Sequence, residues 1–246
     1  MSPISPNPIT TLELMTYNVR LGIETSLEAL AAAIRAEGAP DVLALQEIGV
    51  RWRMGEPIDQ PAYLARALGL PFHTFAGALT DAEGGRFGIA VLSRFPLAAA
   101  DVSLLPMETD EQRVALRVTL HTSPAVHLVN THLSVNGPER LRQAERVSRL
   151  LAECDGPRLL MGDMNDVPDS PVVSTLRAGL TDLFDATGMG DPLTFSVKSP
   201  NRRIDYLMAG GGLMPSGPTR VSRGVRTSDH FPLRGKVAWG APPPVA

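Results

Sequence analysis

The sequence predicts an α/β or α+β domain built on more than one β-sheet. At least eight strand-like segments recur along the 246 residues, and about four helical patterns fall between them. Hairpin-like neighbours early and late in the chain argue against a purely parallel, Rossmann-type arrangement. The length allows a substantial core, and 43% apolar with 20% charged residues is ordinary for a globular protein.

The elements follow in order. LELMTYNV (12–19) alternates apolar and polar positions, as a half-buried strand does. Leu27, Leu30, Ala31 and Ile34 then share one helical face, with Ser26 placed to cap it and Gly38 to stop it. DVLALQEI (41–48) is strand-like, PAYLARALG (61–69) helical, and GIAVLSRFPL (88–97), VALRVTLHT (114–122) and AVHLVNTHL (125–133) strand-like again. From Pro138 to Cys154, Leu141, Ala144, Val147, Leu150 and Leu151 form one stripe, while Arg140, Arg142, Arg146 and Arg149 lie mostly off it. PRLLMGDM (157–164) reads as a strand, SPVVSTLRAG (170–179) as a short helix, and RIDYLMAG (203–210) and FPLRGKVAW (231–239) as strands. No linker or repeat divides the chain, so one domain is expected over 11–240, with flexible Pro-rich termini at 1–10 and 241–246.

Several function classes recede at once. A net charge of −3 disfavours a general nucleic-acid binder, which gains affinity by neutralising phosphates, yet leaves cleavage of one phosphodiester open. No apolar run approaches the roughly 18 residues that span a bilayer, so no stable membrane insertion is expected. MSPISPNPITT lacks the basic and apolar regions of a secretory signal, and Cys154 is the sole cysteine; both make the cytoplasm the expected location. No GxGxxG follows a strand, so a nucleotide cofactor is not expected. Nothing in the pattern points to a protein partner.

The informative residues stand where strands end: Asn18, Glu47, Asn130 and His132, Asp163 and Asn165, Asp205, and Asp229 with His230. Open α/β sheets gather ligands at such ends. Each residue alone also has a plain structural use. Asn18 suits a turn, Glu47 a strand terminus, Asp163 and Asn165 an Asx-turn, His132 a satisfied core histidine and His230 a cap. Asp205 is different, because a carboxylate inside an apolar run needs a partner.

Taken in order, TYN (Asn18), LQE (Glu47), NTHL (His132), GDMN (Asp163, Asn165), RIDY (Asp205) and SDH (Asp229, His230) resemble the endonuclease/exonuclease/phosphatase superfamily, from about Leu12 to Val237. THLSVNGPERLRQAERV is most similar to its uncharacterised bacterial hydrolases. The resemblance implies a four-layer α/β sandwich, two mostly antiparallel β-sheets packed face to face with helices outside. It implies a metal site for Mg2+ or Mn2+, with Glu47 as main ligand, Asn18 nearby and Asp229 linked to it; oxygen donors select such hard cations. Asp163 would orient and deprotonate a water, and Asn165 would position it or hold a phosphate oxygen. His230, its tautomer fixed by Asp205, would contact the phosphoryl oxygen or act as base. His132 and Arg113 would contact the substrate phosphate. Asp110, Glu111 and Asp166 match no motif and are expected at the surface or in turns.

The expected reaction is metal-assisted hydrolysis of a phosphodiester, with nucleic acid leading and a small molecule or phospholipid headgroup second. A catalytically silent scaffold would have lost a site residue, and none is missing. Arg202, Arg203, Arg220, Arg223 and Arg226, with Gly210 to Gly212 and Pro215, read as a mobile basic loop able to guide an anion.

Overall fold

In the computed structural model, which describes residues 10–240, alternation along β1 (Thr11–Asn18) sorts side chains between two layers. Leu12 and Leu14 enter one apolar cluster, Met15 and Tyr17 another. β2 (Val42–Val50) runs parallel to β1 and repeats the division, Val42 and Ala44 on one face, Leu43 and Leu45 on the other. Apart from Thr10, the termini expected to be flexible lie outside the described residues.

β3 (Phe72–Thr80) and β4 (Arg86–Ser93) extend this sheet. A second sheet of six strands follows, made of β5 (Leu97–Leu104), β6 (Val114–Leu120), β7 (Val126–His132), β8 (Arg158–Asp163), β9 (Thr181–Asp182) and β10 (Asp205–Gly210). The end of the chain returns to the first sheet as β11 (Leu213–Pro215), β12 (Arg220–Val221) and β13 (Leu233–Trp239). The first sheet thus has seven strands, in the order β11-β13-β1-β2-β4-β3 with β12 also on β13; the second runs β5-β6-β7-β8-β10-β9. Each sheet holds one parallel pair, β1 with β2 and β7 with β8, and is otherwise antiparallel.

Three apolar clusters give the layers. Leu12, Val42 and Val91 of one sheet meet Leu116, Leu128 and Met161 of the other in the centre. α1 (Leu27–Ala36) and α2 (Gln60–Leu68) cover the outside of the first sheet through Leu30, Ile34 and Leu64. α3 (Gly137–Ala152) and α4 (Pro171–Leu176) cover the second through Val147, Leu150 and Val173. Each such fully buried aliphatic chain contributes about 1.5–3 kcal/mol. This is the expected α/β sandwich. Ser26, Asn136 and Ser170 cap their helices, and Pro138 occupies the first turn of α3. A short α5 (Leu183–Thr187) completes the set.

The expected basic loop is corrected. β10, β11 and β12 run through that segment, and Gly211 and Gly212, both at positive φ, make a turn between strands. Arg203 is buried against Asp182 and Asp185, and Arg223 pairs with Asp191. Of the five arginines, Arg202 lines the cleft described next. Among the described residues no helix is long and apolar enough to cross a membrane.

Candidate active site

The inward-facing rows of the two sheets change from apolar to polar toward one end. Leu12 and Leu14 lead to Thr16 and Asn18, Val126 and Leu128 to Asn130 and His132, and Leu159 and Met161 to Asp163. β10 runs antiparallel to β8 with Asp205 opposite Asp163, so its first residue joins the same end. Gly162 allows the close approach there: its φ is 145°, and a Cβ would fall 2.0 Å from the Thr131 carbonyl oxygen.

Glu47 breaks the alternation. Regular pairing would send it toward the helix layer with Leu43 and Leu45. The β2–β4 register instead shifts between Gln46 and Ile48, and Glu47 takes φ 51°. That bulge re-aims the carboxylate into the cleft. Asn165 also has positive φ, 52°, and its N–H donates to Asp163 Oδ1 at 2.9 Å. The Asx-turn and the clustering of polar groups therefore coexist at Asp163.

Beneath this floor, a polar layer joins the sheets. Gln46 Nε2 donates to Thr16 Oγ1 at 3.1 Å and to Asn130 Oδ1 at 2.9 Å. Asn130 Nδ2 donates to the carbonyls of Leu45 and Ala90 at 3.0 and 2.8 Å. Asn130, found at a strand end by sequence, is thus one layer below the cleft.

Above lies a cleft of about 430 Å³, lined by Glu47, Arg113, His132, Asp163, Asn165, Asp229 and His230 and walled further by Arg140, Phe195 and Arg202. Asn18 is fully buried beside it. Its Nδ2 donates to Glu47 Oε1 at 2.9 Å and Asp163 Oδ2 at 3.1 Å, while its Oδ1 accepts from Arg20 N–H at 3.1 Å. One amide thus spaces two carboxylates. Asp229 is half-buried, 3.6 Å from Arg20.

The two histidines meet opposite neighbours. His230 Nδ1 lies 2.9 Å from Asp205 Oδ2, and its Nε2 is 3.6 Å from Asp163 Oδ2. Burial lowers its affinity for a proton, but the carboxylates of Asp205 and Asp163 outweigh that and raise it above the ordinary histidine range. His132 Nδ1 lies 2.9 Å from Arg113 Nη1. Arginine only donates, so Nδ1 accepts and the ring proton belongs to Nε2. Burial, then Arg113 and His230, hold His132 neutral, well below the ordinary range. Its Nε2–H faces Asp163 Oδ2 at 3.5 Å; the neighbouring Asn165 Nδ2 donates to Leu133 O and cannot accept it. Asp163 itself is pushed up by burial and by Asp205. Glu47 is raised too, chiefly by burial.

Sequence reasoning placed Asn18, Glu47, Arg113, His132, Asp163, Asn165, Asp205, Asp229 and His230 in one site, and the fold brings all nine together. It missed Arg140 and Phe195. Arg140 belongs to the first turn of α3 and is held by Asp166 at 2.9 Å; Phe195 packs 4.8 Å from the His230 ring, with the Arg202 guanidinium on it. Neither carries a strand-end signature. Asp166, Asp110 and Glu111, expected as plain surface or turn residues, hold the arginines of the wall, Glu111 meeting Arg113 at 2.9 Å.

The profile of the endonuclease/exonuclease/phosphatase family matches residues 15–230. The chain belongs to that family. Family members are hydrolases of phosphoester bonds and typically depend on a divalent metal. Among solved structures, an endonuclease/exonuclease/phosphatase from Beutenbergia cavernae is 27% identical with a TM-score of 0.79, the match covering 97% of this chain and 74% of that one. A mannosyl-6-phosphatase from Bacteroides thetaiotaomicron is 16% identical with a TM-score of 0.70, over 93% and 100% of the two chains. Sphingomyelinase C from Streptomyces griseocarneus is 21% identical with a TM-score of 0.70, over 93% and 99%. At those last two identities the likeness is one of fold.

The residues present fit the divalent cation this family uses. Carboxylates of Glu47, Asp163 and Asp229 line the cleft, and the fully buried Asp205 beside them has its Oδ1 without a hydrogen-bond partner. Among the described residues, donor atoms of Asp163, Asp205 and His230 lie within 4.8 Å of one another, which makes that trio the tightest candidate group. It differs from the expected set of Asn18, Glu47 and Asp229. Asn18 departs most, since its amide is engaged by Glu47, Asp163 and Arg20.

Proposed function

We propose that this chain is a divalent-metal-dependent hydrolase of phosphodiesters, with nucleic acid as its leading substrate. One observation carries the reading. Nε2 of His132 and Nε2 of His230 stand 3.5 and 3.6 Å from the same oxygen of Asp163, at the floor of a cleft walled by arginines. A phosphate seated there would meet two N–H donors beside a carboxylate able to hold water.

The residues divide the work. Glu47 and Asp229 would hold Mg2+ or Mn2+, with Asp205 Oδ1 and Asp163 within reach of the same floor and Asn18 spacing the carboxylates. Bound, the ion supplies Lewis-acid stabilisation of charge on the phosphate. Asp163 orients the attacking water and takes its proton as the new P–O bond forms; the ester P–O bond breaks, and the departing alkoxide takes a proton from solvent and leaves as the alcohol. Asn165, fixed in the Asx-turn, holds the neighbouring phosphate oxygen or the water. His230, oriented by Asp205 through Nδ1, donates Nε2–H to the oxygen where charge develops, and neutral His132 donates to a second one. Arg113 supports His132 and adds positive charge beside the phosphate.

A second reading, a small phosphodiester or phospholipid headgroup, is favoured by the state of the wall. Arg113 and Arg140 are paired with Glu111 and Asp166, which leaves less free positive charge for a long polyanion. A panel with Mg2+ or Mn2+ decides: plasmid and single-stranded DNA, RNA, an abasic duplex, sphingomyelin and inositol phosphates. Product from the nucleic acids supports the leading reading, and product from the small esters alone promotes the second. No metal-dependent hydrolysis of any would sink both.

A further inference from the structure

Past Glu47 the cleft continues into a second hollow of about 340 Å³, which shares Glu47 with the first. Its walls are apolar, with Leu21, Trp52, Leu79 and Phe87 inside and the exposed Ile23 and Met54 at the mouth. Trp52 and Phe87 pack with ring centroids 5.7 Å apart. The rim is polar and mixed in sign: Arg20 is paired with Glu24, Glu111 with Arg113, and the Arg53 guanidinium lies over the Trp52 ring at 5.3 Å.

This hollow is built with strained backbone. Arg20, Leu21, Glu47 and Arg51, at φ 44°, 56°, 51° and 53°, are four of the six non-glycine residues at positive φ among those described. Such conformations gather where surrounding structure over-determines a binding surface. The surrounding structure is visible here. Buried Gln60 accepts from Gly49 N–H at 2.9 Å and donates to Leu21 O at 3.1 Å, tying the two strained loops together. Gly55 closes on the same carbonyl, where a Cβ would fall 2.2 Å from Leu21 O.

We infer that this hollow is a subsite for a flat heteroaromatic group, a nucleobase, carried by the sugar esterified to the phosphate in the main cleft. Apolar walls suit the faces of such a ring, and the N–H groups and carboxylate oxygen that Arg20, Arg53 and Glu111 keep beyond those contacts suit its edge. An acyl chain would leave the polar rim unused, and a methyl ester would leave the hollow empty. Continuity through Glu47 places the group on the same diester, so the assignment rests on the phosphodiesterase reading.

The test compares three p-nitrophenyl phosphodiesters that share a leaving group: those of thymidine, octanol and methanol. With Mg2+ or Mn2+, kcat/KM for the thymidine ester should exceed that for the methyl ester by about tenfold or more, the scale of one base stacked on a protein wall. Ile23→Asp and Met54→Asp place charge at the exposed mouth, where folding tolerates it, and each should reduce that ratio several-fold. A ratio near one, or one unchanged in both variants, overturns the subsite while the hydrolase reading stands. An octyl ester that matches or exceeds the thymidine ester overturns the nucleobase in favour of an acyl group. If no ester is turned over, the substrate panel above judges the hydrolase reading, and binding alone judges the hollow. In a Trp239→Phe background, which leaves Trp52 as the sole tryptophan, thymidine monophosphate should quench fluorescence saturably, and Met54→Asp should weaken it. Absence of quenching overturns the subsite.

Discussion

Nη1 of Arg113 lies 2.9 Å from Nδ1 of His132, whereas the matching nitrogen of His230 meets the Asp205 carboxylate at the same distance. One ring faces a cation and the other an anion across a single cleft, so one is held neutral and the other charged. In nitrogen NMR of the metal-free protein, His132 should keep its Nε2–H tautomer as pH falls past about 6.5, where an ordinary histidine takes a second proton. Arg113→Met should let protonation return toward that value. An unchanged titration would show that Arg113 does not control the ring.

The Asp205–His230 pair predicts a pH-dependent stability of opposite sign. A histidine whose folded pKa is raised stabilises the fold fully below the unfolded value of about 6.5, and the contribution fades as pH rises through the folded value. Asp205→Asn removes the strongest source of that rise. The variant should be destabilised by about 3–5 kcal/mol at pH 6 in the absence of metal, the usual scale for breaking a buried pair. The gap should narrow at higher pH. Denaturant unfolding across that range checks it, and a gap that widens with pH would contradict the pairing.

Asp163 trades stability for chemistry. Burial and the neighbouring Asp205 both oppose its charged form. Asp163→Asn removes the repulsion and the group assigned to take the proton, at the cost of one of the two oxygens that accept from Asn165 N–H and Asn18 Nδ2. Hydrolysis should fall by about 10²–10⁴-fold. Activity near wild type would refute the assigned role.

The polar layer under the cleft should matter to folding. Asn130→Ala strips the side-chain donor from the Leu45 and Ala90 carbonyls, while Gln46 Nε2 keeps Thr16 Oγ1. Each buried group left unsatisfied costs about 1–3 kcal/mol. At about 2–4 °C per kcal/mol for a chain of this size, calorimetry should record a drop of several degrees. A midpoint within one degree of wild type would show that water or repacking replaces the amide.

What sequence disclosed, and what it hid, follows from how each signal is carried. Asn18, Asp163 and Asp205 were legible because a polar residue ending an apolar row is locally visible. β3 and β5 were missed as full strands because they form the outer edges of the sheets, where half-exposed residues such as Phe72 and Val102 blur the alternation. The wall formed by Arg140, Phe195 and Arg202 depends on how the start of α3 and the later loops fold over the strand ends, which no local period encodes. Glu47 was found by its place in LQE, yet the bulge that turns it inward could not be read from the pattern, because strict alternation puts that side chain on the other face. Arg113 was seen as a phosphate contact; its hold on His132 depends on a loop carrying Asp110 and Glu111 toward it.

That bulge gives the last prediction. Glu47 offers one oxygen to Asn18 and faces the cleft, with burial resisting its charge. A bound divalent ion would reverse that resistance, so metal binding should release a proton wherever Glu47 carries one in the free protein. Glu47→Gln keeps the contact with Asn18 within reach of its own amide oxygen while removing the negative charge. Titration calorimetry with Mg2+ should then show affinity reduced by at least about tenfold, as loss of one close charge on a cation implies. Mn2+ should follow in parallel, since both are hard and take oxygen donors. Retained wild-type affinity would move the ion to the Asp163, Asp205 and His230 trio. Asp205→Asn in the same titration would then be the variant that abolishes binding.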